Sequence, residues 1–204
     1  MDGPFFKVWD EAQKKGLTLG KEKASREWLQ QQAKRTTVGD NPIQFVKEYG
    51  RDFKRRDIRP GFMYFYQYSP KFKDDPTVLP YYDNYPLVFI IEEYPDQFLT
   101  INLHYLNHPM RARLLDALYT IAVNKKFNDN QKISASYGVL KASARFKWFA
   151  PCVKMHLKSH IVSNFYKIPS EFWSYALFLP LEKFSRKSKT YVWKESARII
   201  AKGK

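Results

Sequence analysis

Cysteine is nearly missing from this chain. The single one among 204 residues, Cys152, excludes an internal disulfide and points to a reducing compartment or assembly in one. Set among apolar neighbours, it reads as a small buried apolar residue. Glycine is scarce too, at eight residues, and the loops that depend on it are absent. There is no G-x-x-x-x-G-K phosphate cradle, no G-x-G-x-x-G after a strand and no G-x-S-x-G elbow, nor is there an H-E-x-x-H zinc motif. No apolar run reaches the 18 or so residues of a spanning helix, and "MDGPFFKVWDEAQ" lacks the basic and apolar regions of a secretory signal, so neither is expected. Negative charge is also short: 20 Asp and Glu stand against 35 Lys and Arg, a net charge of +15. Such an excess speaks of partners rather than fold, because it draws phosphate backbones and anionic surfaces.

What the chain does have is apolar and aromatic mass. At 44% hydrophobic and 17% aromatic residues it can fill one large core. The charge is unevenly laid out: net +5 over residues 1 to 56, −4 over 57 to 110 and +14 over 111 to 204. Solubility alone would not need that asymmetry. The last stretch, "LEKFSRKSKTYVWKESARIIAKGK", sets eight Lys and Arg against two Glu and threads Phe184, Tyr191 and Trp193 among them.

Patterning divides the chain in the same way. "ASREWLQQQAKR", with Ser25 as cap, and "NPIQFVKEYGRDFKRR", with Asn41 as cap and Pro42 at the first helical position, predict two helices in the first third. "PGFMYFYQYSPK" predicts a strand after a Pro-Gly turn, and "YPLVFIIEEYPDQFLTINLHYLN" predicts two strands joined around Pro95-Asp96. "NHPMRARLLDALYTIAVNKK" predicts a helix with Leu114, Leu115, Leu118 and Ile121 on one side. "FKWFAPCVKMHL" and "SYALFLP" are short pieces that periodicity does not assign, and the final stretch predicts a helix or a strand-helix pair that buries Phe184 and Trp193. The expectation is an α+β protein: a small aromatic-rich antiparallel, barrel-like (SH3-like) core with flanking helices over 58–204, after a basic helical arm over 1–57.

Three kinds of chemistry compete for the polar residues. His104 and His108 are four apart, as are His156 and His160, with Cys152 four before His156, a spacing that suits zinc only on helices. His104 falls in a predicted strand and His108 precedes Pro109, so no metal or cofactor is expected. Asp74, Asp75, Asp83, Glu92, Glu93 and Asp96 form an acidic block that a metal-dependent nuclease would use; loop solvation and repulsion of a polyanion from that face is the plainer reading. The strongest signal is basic residues interleaved with aromatics: Lys141, Arg145, Lys147, Lys154 and Lys158 around Phe146, Trp148 and Phe149, then Lys183, Arg186, Lys187, Lys189, Lys194 and Arg198. Lys and Arg neutralise phosphates with little sequence preference, and the rings either stack on bases or anchor the segment in the core. These eleven cations are the candidate nucleic-acid contacts.

"RPGFMYFYQYSPKFKDDPTVLPYYDNYPLVFII", "FLTINLHYLNHPMRARLLDALY" and "IPSEFWSYALFLPLEKFSRKSKTYVWKESARII" together resemble the DNA end protector proteins of T-even-type tailed bacteriophages. The likeness covers about residues 59 to 200, is weaker around 122 to 165, and does not extend to the first 56 residues. "EEYPDQ" stands where relatives carry a Gly-rich hairpin. The resemblance implies a non-enzymatic virion protein, present in the host cytoplasm during infection and assembly. Its implied partner is the end of linear double-stranded DNA, bound without sequence preference and shielded from host exonuclease; phage head or neck proteins are further implied partners, and a membrane is not. A structural connector of the particle's neck or baseplate is the alternative.

Overall fold

The computed structural model describes residues 4–16, 58–122, 124–145, 148–168 and 182–202. In chain order these form α1 (Pro4–Lys14), β1 (Met63–Phe65), β2 (Tyr82–Asp83), β3 (Leu87–Glu93), β4 (Gln97–Asn102), α2 (His108–Ala122), α3 (Asp129–Arg145), β5 (Val153–Leu157), β6 (Tyr166–Lys167), β7 (Phe184–Ser185) and α4 (Lys189–Lys202). The helices expected around residues 24–35 and 41–56, and the "SYALFLP" piece, lie outside the described residues. Among the described residues no helix is long and apolar enough to cross a membrane.

A five-stranded antiparallel sheet in the order β5-β4-β3-β1-β6 organises the chain, beside a two-residue β2-β7 ladder. Gly61 delivers the chain into β1. Its φ of +88 suits a residue without Cβ, and its N–H donates to the Ile90 carbonyl at 2.8 Å. Five consecutive apolar residues make β3 buried on both faces. Leu87, Phe89 and Ile91 point to one core with Met63, Ile101, Leu115, Leu118, Leu140 and Val192; Val88 and Ile90 point to the other with Tyr64, Tyr66, Phe98 and Phe165. A bulge between Ile90 and Glu92 shifts the β3-β4 register, after which Glu92 faces Leu99.

The α+β class and the antiparallel strands hold, but the SH3-like barrel is not found among the described residues. The sheet stays open, with β5 and β6 at opposite edges. The segment from Lys158 to Phe165 joins those two edges and lays Ile161 and Phe165 on the second face. That segment, rather than closure of the sheet, keeps the Tyr and Phe side chains from water. Helices α2, α3 and α4 contribute to the core on the other face. Helix α1 packs along α2, and its Ala12 is fully buried in that core.

Helix α2 begins as its sequence requires: Asn107 Oδ1 accepts the Met110 N–H at 3.1 Å, and Pro109 sits in the first turn. Helix α3, which the apolar pattern did not predict, opens on a reciprocal capping box. Asn128 Oδ1 accepts from the Gln131 N–H at 3.0 Å, and Gln131 Oε1 accepts from the Asn128 N–H at 2.9 Å.

Candidate nucleic-acid interface

The carboxyl-terminal stretch folds as the strand-helix pair β7-α4. Strand β7 pairs with β2, placing Phe184 opposite Asp83, and Phe184 packs edge-on against Tyr105 with ring centres 5.1 Å apart. Helix α4 turns Val192 and Ser196 inward and leaves Trp193 half-buried. Trp193 donates from its indole Nε1 to the His104 carbonyl at 2.9 Å.

A buried polar network ties this unit to the sheet, and sequence reading missed it. Arg111 of α2 and Glu182, two residues before β7, meet at 2.6 Å with both side chains wholly buried. Arg111 also donates from Nε to the Leu106 carbonyl at 2.9 Å, and Lys189 approaches the other Glu182 oxygen at 3.8 Å. Burial acts to raise the Glu182 pKa, but the Arg111 guanidinium above all, with Lys189 assisting, outweighs it and holds the carboxyl down at about 2. Beside this pair, His104 donates from Nδ1 to Asp83 at 2.7 Å, and Asn102 donates to the same carboxylate oxygen at 3.1 Å. A signal was present: an Arg within an otherwise apolar helix face, at the position next to Ala112, calls for a buried acid.

The histidines and acids considered for metal chemistry are dispersed. His104 belongs to Asp83, His108 stacks edge-on against Trp193 at 5.0 Å, His156 Nδ1 accepts from Tyr66, and His160 donates to the Ser69 carbonyl at 2.8 Å. Among the acids, Glu92 accepts from Tyr94, Tyr137 and Lys141, Glu93 pairs with Lys158, and Asp75 caps the turn at Thr77. Burial pushes the Cys152 thiol up to about 12, which makes it a poor nucleophile.

Burial holds His156 down at about 4, with Asp83 opposing and Lys154 assisting. The unfolded chain therefore takes up a proton near pH 6.5 that the folded chain refuses until about pH 4, so stability is lost as pH falls through that window. Each pH unit there costs roughly 1.4 kcal/mol per such group. A lower urea midpoint at pH 4.5 than at pH 7 is expected, with a smaller difference in His156→Asn.

The structure separates the candidate cations into groups. Lys141, Lys154 and Lys158 lie at the β3-β4-β5 side with local partners. Lys141 is held by Glu92 and Tyr137, both at 3.1 Å, and Lys158 by Glu93 at 2.6 Å. The Lys154 ammonium sits 4.3 Å from the centre of the Tyr105 ring, and burial lowers its pKa. Lys147 lies outside the described residues, and Arg145 is exposed at the last turn of α3. In the carboxyl-terminal unit, Arg186 has φ +68, a left-handed conformation rare for its type, and its guanidinium donates to the carbonyls of Leu79 (2.8 Å) and Lys73. Arg186 thus fastens the exposed 71–79 loop, with its Lys71, Phe72 and Lys73, beside the unit.

Lys183, Lys187 and Lys194 are exposed and have no ion pair among the described residues. Lys183 lies 5.5 Å from the Tyr85 ring centre and Lys187 4.8 Å from that of Tyr191. Tyr191, Lys194, Arg198 and Lys202 follow helical spacing on the outer face of α4, where Arg198 bonds Glu195 at 3.1 Å.

Fold and surface together define a class: a small basic α+β protein that displays cations beside the rings of Tyr85 and Tyr191 on and around one strand-helix unit, tied to α2 by a buried ion pair. The family model described as phage T4 terminal DNA protecting protein matches residues 14–200, and the chain belongs to that family. Most of the amino-terminal third, which carried no likeness in the sequence reading, falls inside the match. No curated protein and no solved structure matches the chain significantly.

Proposed function

We propose that this protein binds the ends of linear double-stranded phage DNA, without reading sequence, and shields them from exonuclease by occupying them. The observation that carries the reading is the α4 unit. Lys183, Lys187, Lys194, Arg198 and Lys202, with Arg145, offer about six cations to phosphates, and the rings of Tyr85 and Tyr191 border them. Arg186 and Lys189 serve the unit from within, by fastening the 71–79 loop and by facing Glu182. Shielding is steric rather than catalytic, so it needs backbone affinity and bulk. It operates in the virion and, after the genome enters, in the host cytoplasm. Phage head or neck proteins are its further partners in the particle.

Anisotropy of an end-labelled duplex across a salt series tests the electrostatic part. About six phosphate contacts predict a slope of log K against log salt near −5, a loss of ~10³ in affinity between 50 and 200 mM. A slope shallower than about −2 would contradict an interface of this size.

A further inference from the structure

Trp148 is half exposed, at 50%, although tryptophan is usually among the more covered residues. It lines a groove of about 210 Å³ between the start of α2, the turn before β5 and one flank of α4. Tyr105, Trp148, Trp193 and Ile200 form its apolar walls, and Asn107 and Ser196 add an amide and a hydroxyl. The Asn107 oxygen caps Met110, and its amide nitrogen has no partner among the described residues.

The charge around the groove selects its occupant. Lys154 sits over the Tyr105 ring, and Lys189 lies 5.5 Å from the Trp193 ring centre on the same helix that carries Lys194, Arg198 and Lys202. Arg145 ends the helix that precedes Trp148. Glu195 is the one acid of α4, and Arg198 engages it. An apolar, ring-lined slot with a few hydrogen-bonding groups, whose Tyr105 and Trp193 walls are met by the cations of Lys154 and Lys189, suits a flat heterocycle on an anionic chain. The volume lies below the ~300–1,000 Å³ of sites for drug-sized ligands, so it suits one ring system.

We propose that this groove receives the unpaired terminal nucleobase of a DNA strand, stacked on Trp148, while the adjoining phosphates lie on the cations of α4. The inference rests on the end-binding reading and deepens it, because an internal stretch of intact duplex offers no free base. End preference then has a structural source that charge alone lacks.

The test uses the full chain, a duplex with a two-nucleotide single-stranded overhang carrying 2-aminopurine at its last position, and a nicked circle. Trp148→Ala, and independently Ala197→Trp, which fills the groove, are compared with the parent after thermal melts establish that each is folded. The parent is expected to quench 2-aminopurine. Both variants are expected to leave it bright, to bind the overhang about 10-fold or more weakly, and to bind the nicked circle as the parent does. Overhang affinity and quenching unchanged in both variants would overturn the groove assignment and leave end binding standing. A parent that binds neither DNA would overturn the end-binding reading and this inference with it. Sedimentation showing a dimer that Ala197→Trp dissociates would assign the groove to a second copy of the chain and overturn the proposal.

Discussion

Glu182→Ala is expected to cost about 3–5 kcal/mol of stability, because it leaves the Arg111 guanidinium charged, buried and without its carboxylate. For a chain of this size that lowers the melting temperature by roughly 6–20 °C. The loss follows from desolvation: the charges of a wholly buried pair cannot turn to water when one partner goes. Replacing both members by apolar residues, Arg111→Met with Glu182→Leu, should restore much of the loss, since no unpaired charge then remains. The pH dependence has a definite sign. The Glu182 carboxyl is held at about 2 in the fold against 4.5 as its ordinary value, so its contribution is complete above about pH 4.5 and disappears as pH falls toward 2. Thermal melts of the single and double variants at pH 7 check the account, and a Glu182→Ala melting temperature within about 1 °C of the parent would contradict it.

The second large effect is on DNA affinity. Lys183→Glu, Lys187→Glu and Lys194→Glu together remove three cations that have no ion pair among the described residues. The salt slope is expected to fall by about 3 and affinity at 100 mM salt by ~10² to 10³, while the melting temperature holds because all three side chains are exposed. Lys189 is a poor choice for the same experiment: a glutamate there would face Glu182 and damage the buried network. Neutralising Lys141 and Lys158 serves as the contrast. Their ammonium groups are engaged by Glu92 and Glu93, so smaller changes in slope are expected.

Much of this molecule is legible in its sequence where one periodicity dominates. Five consecutive apolar residues made β3 readable, Pro95-Asp96 marked the hairpin to β4, and the Leu114, Leu115 and Leu118 stripe announced α2. The carboxyl-terminal strand-helix pair was also visible, with Phe184 and Trp193 turned partly inward. Helix α3 escaped because its apolar residues are sparse and Gly138 interrupts it, yet Asn128 and Gln131 write a capping box into the sequence. The barrel was inferred from aromatic strands that need cover. An open sheet overlaid by the Lys158 to Phe165 segment meets the same need, and composition does not distinguish the two.

The candidate site was legible in kind but not in arrangement. Eleven cations looked equivalent along the chain. In the fold Lys141 and Lys158 answer carboxylates, Arg186 holds a loop, Lys189 serves a buried acid, and Lys183, Lys187 and Lys194 remain exposed. Those partners are 65 residues away in the case of Lys158 and Glu93, a separation that no local pattern encodes.

The central claim is occupancy of DNA ends. Exonuclease digestion of a linear duplex, with and without the protein and with excess nicked circle as competitor for internal binding, tests it most directly. Protection that persists in the presence of the circle is the predicted result; digestion at the unprotected rate, or protection that the circle abolishes, would contradict it.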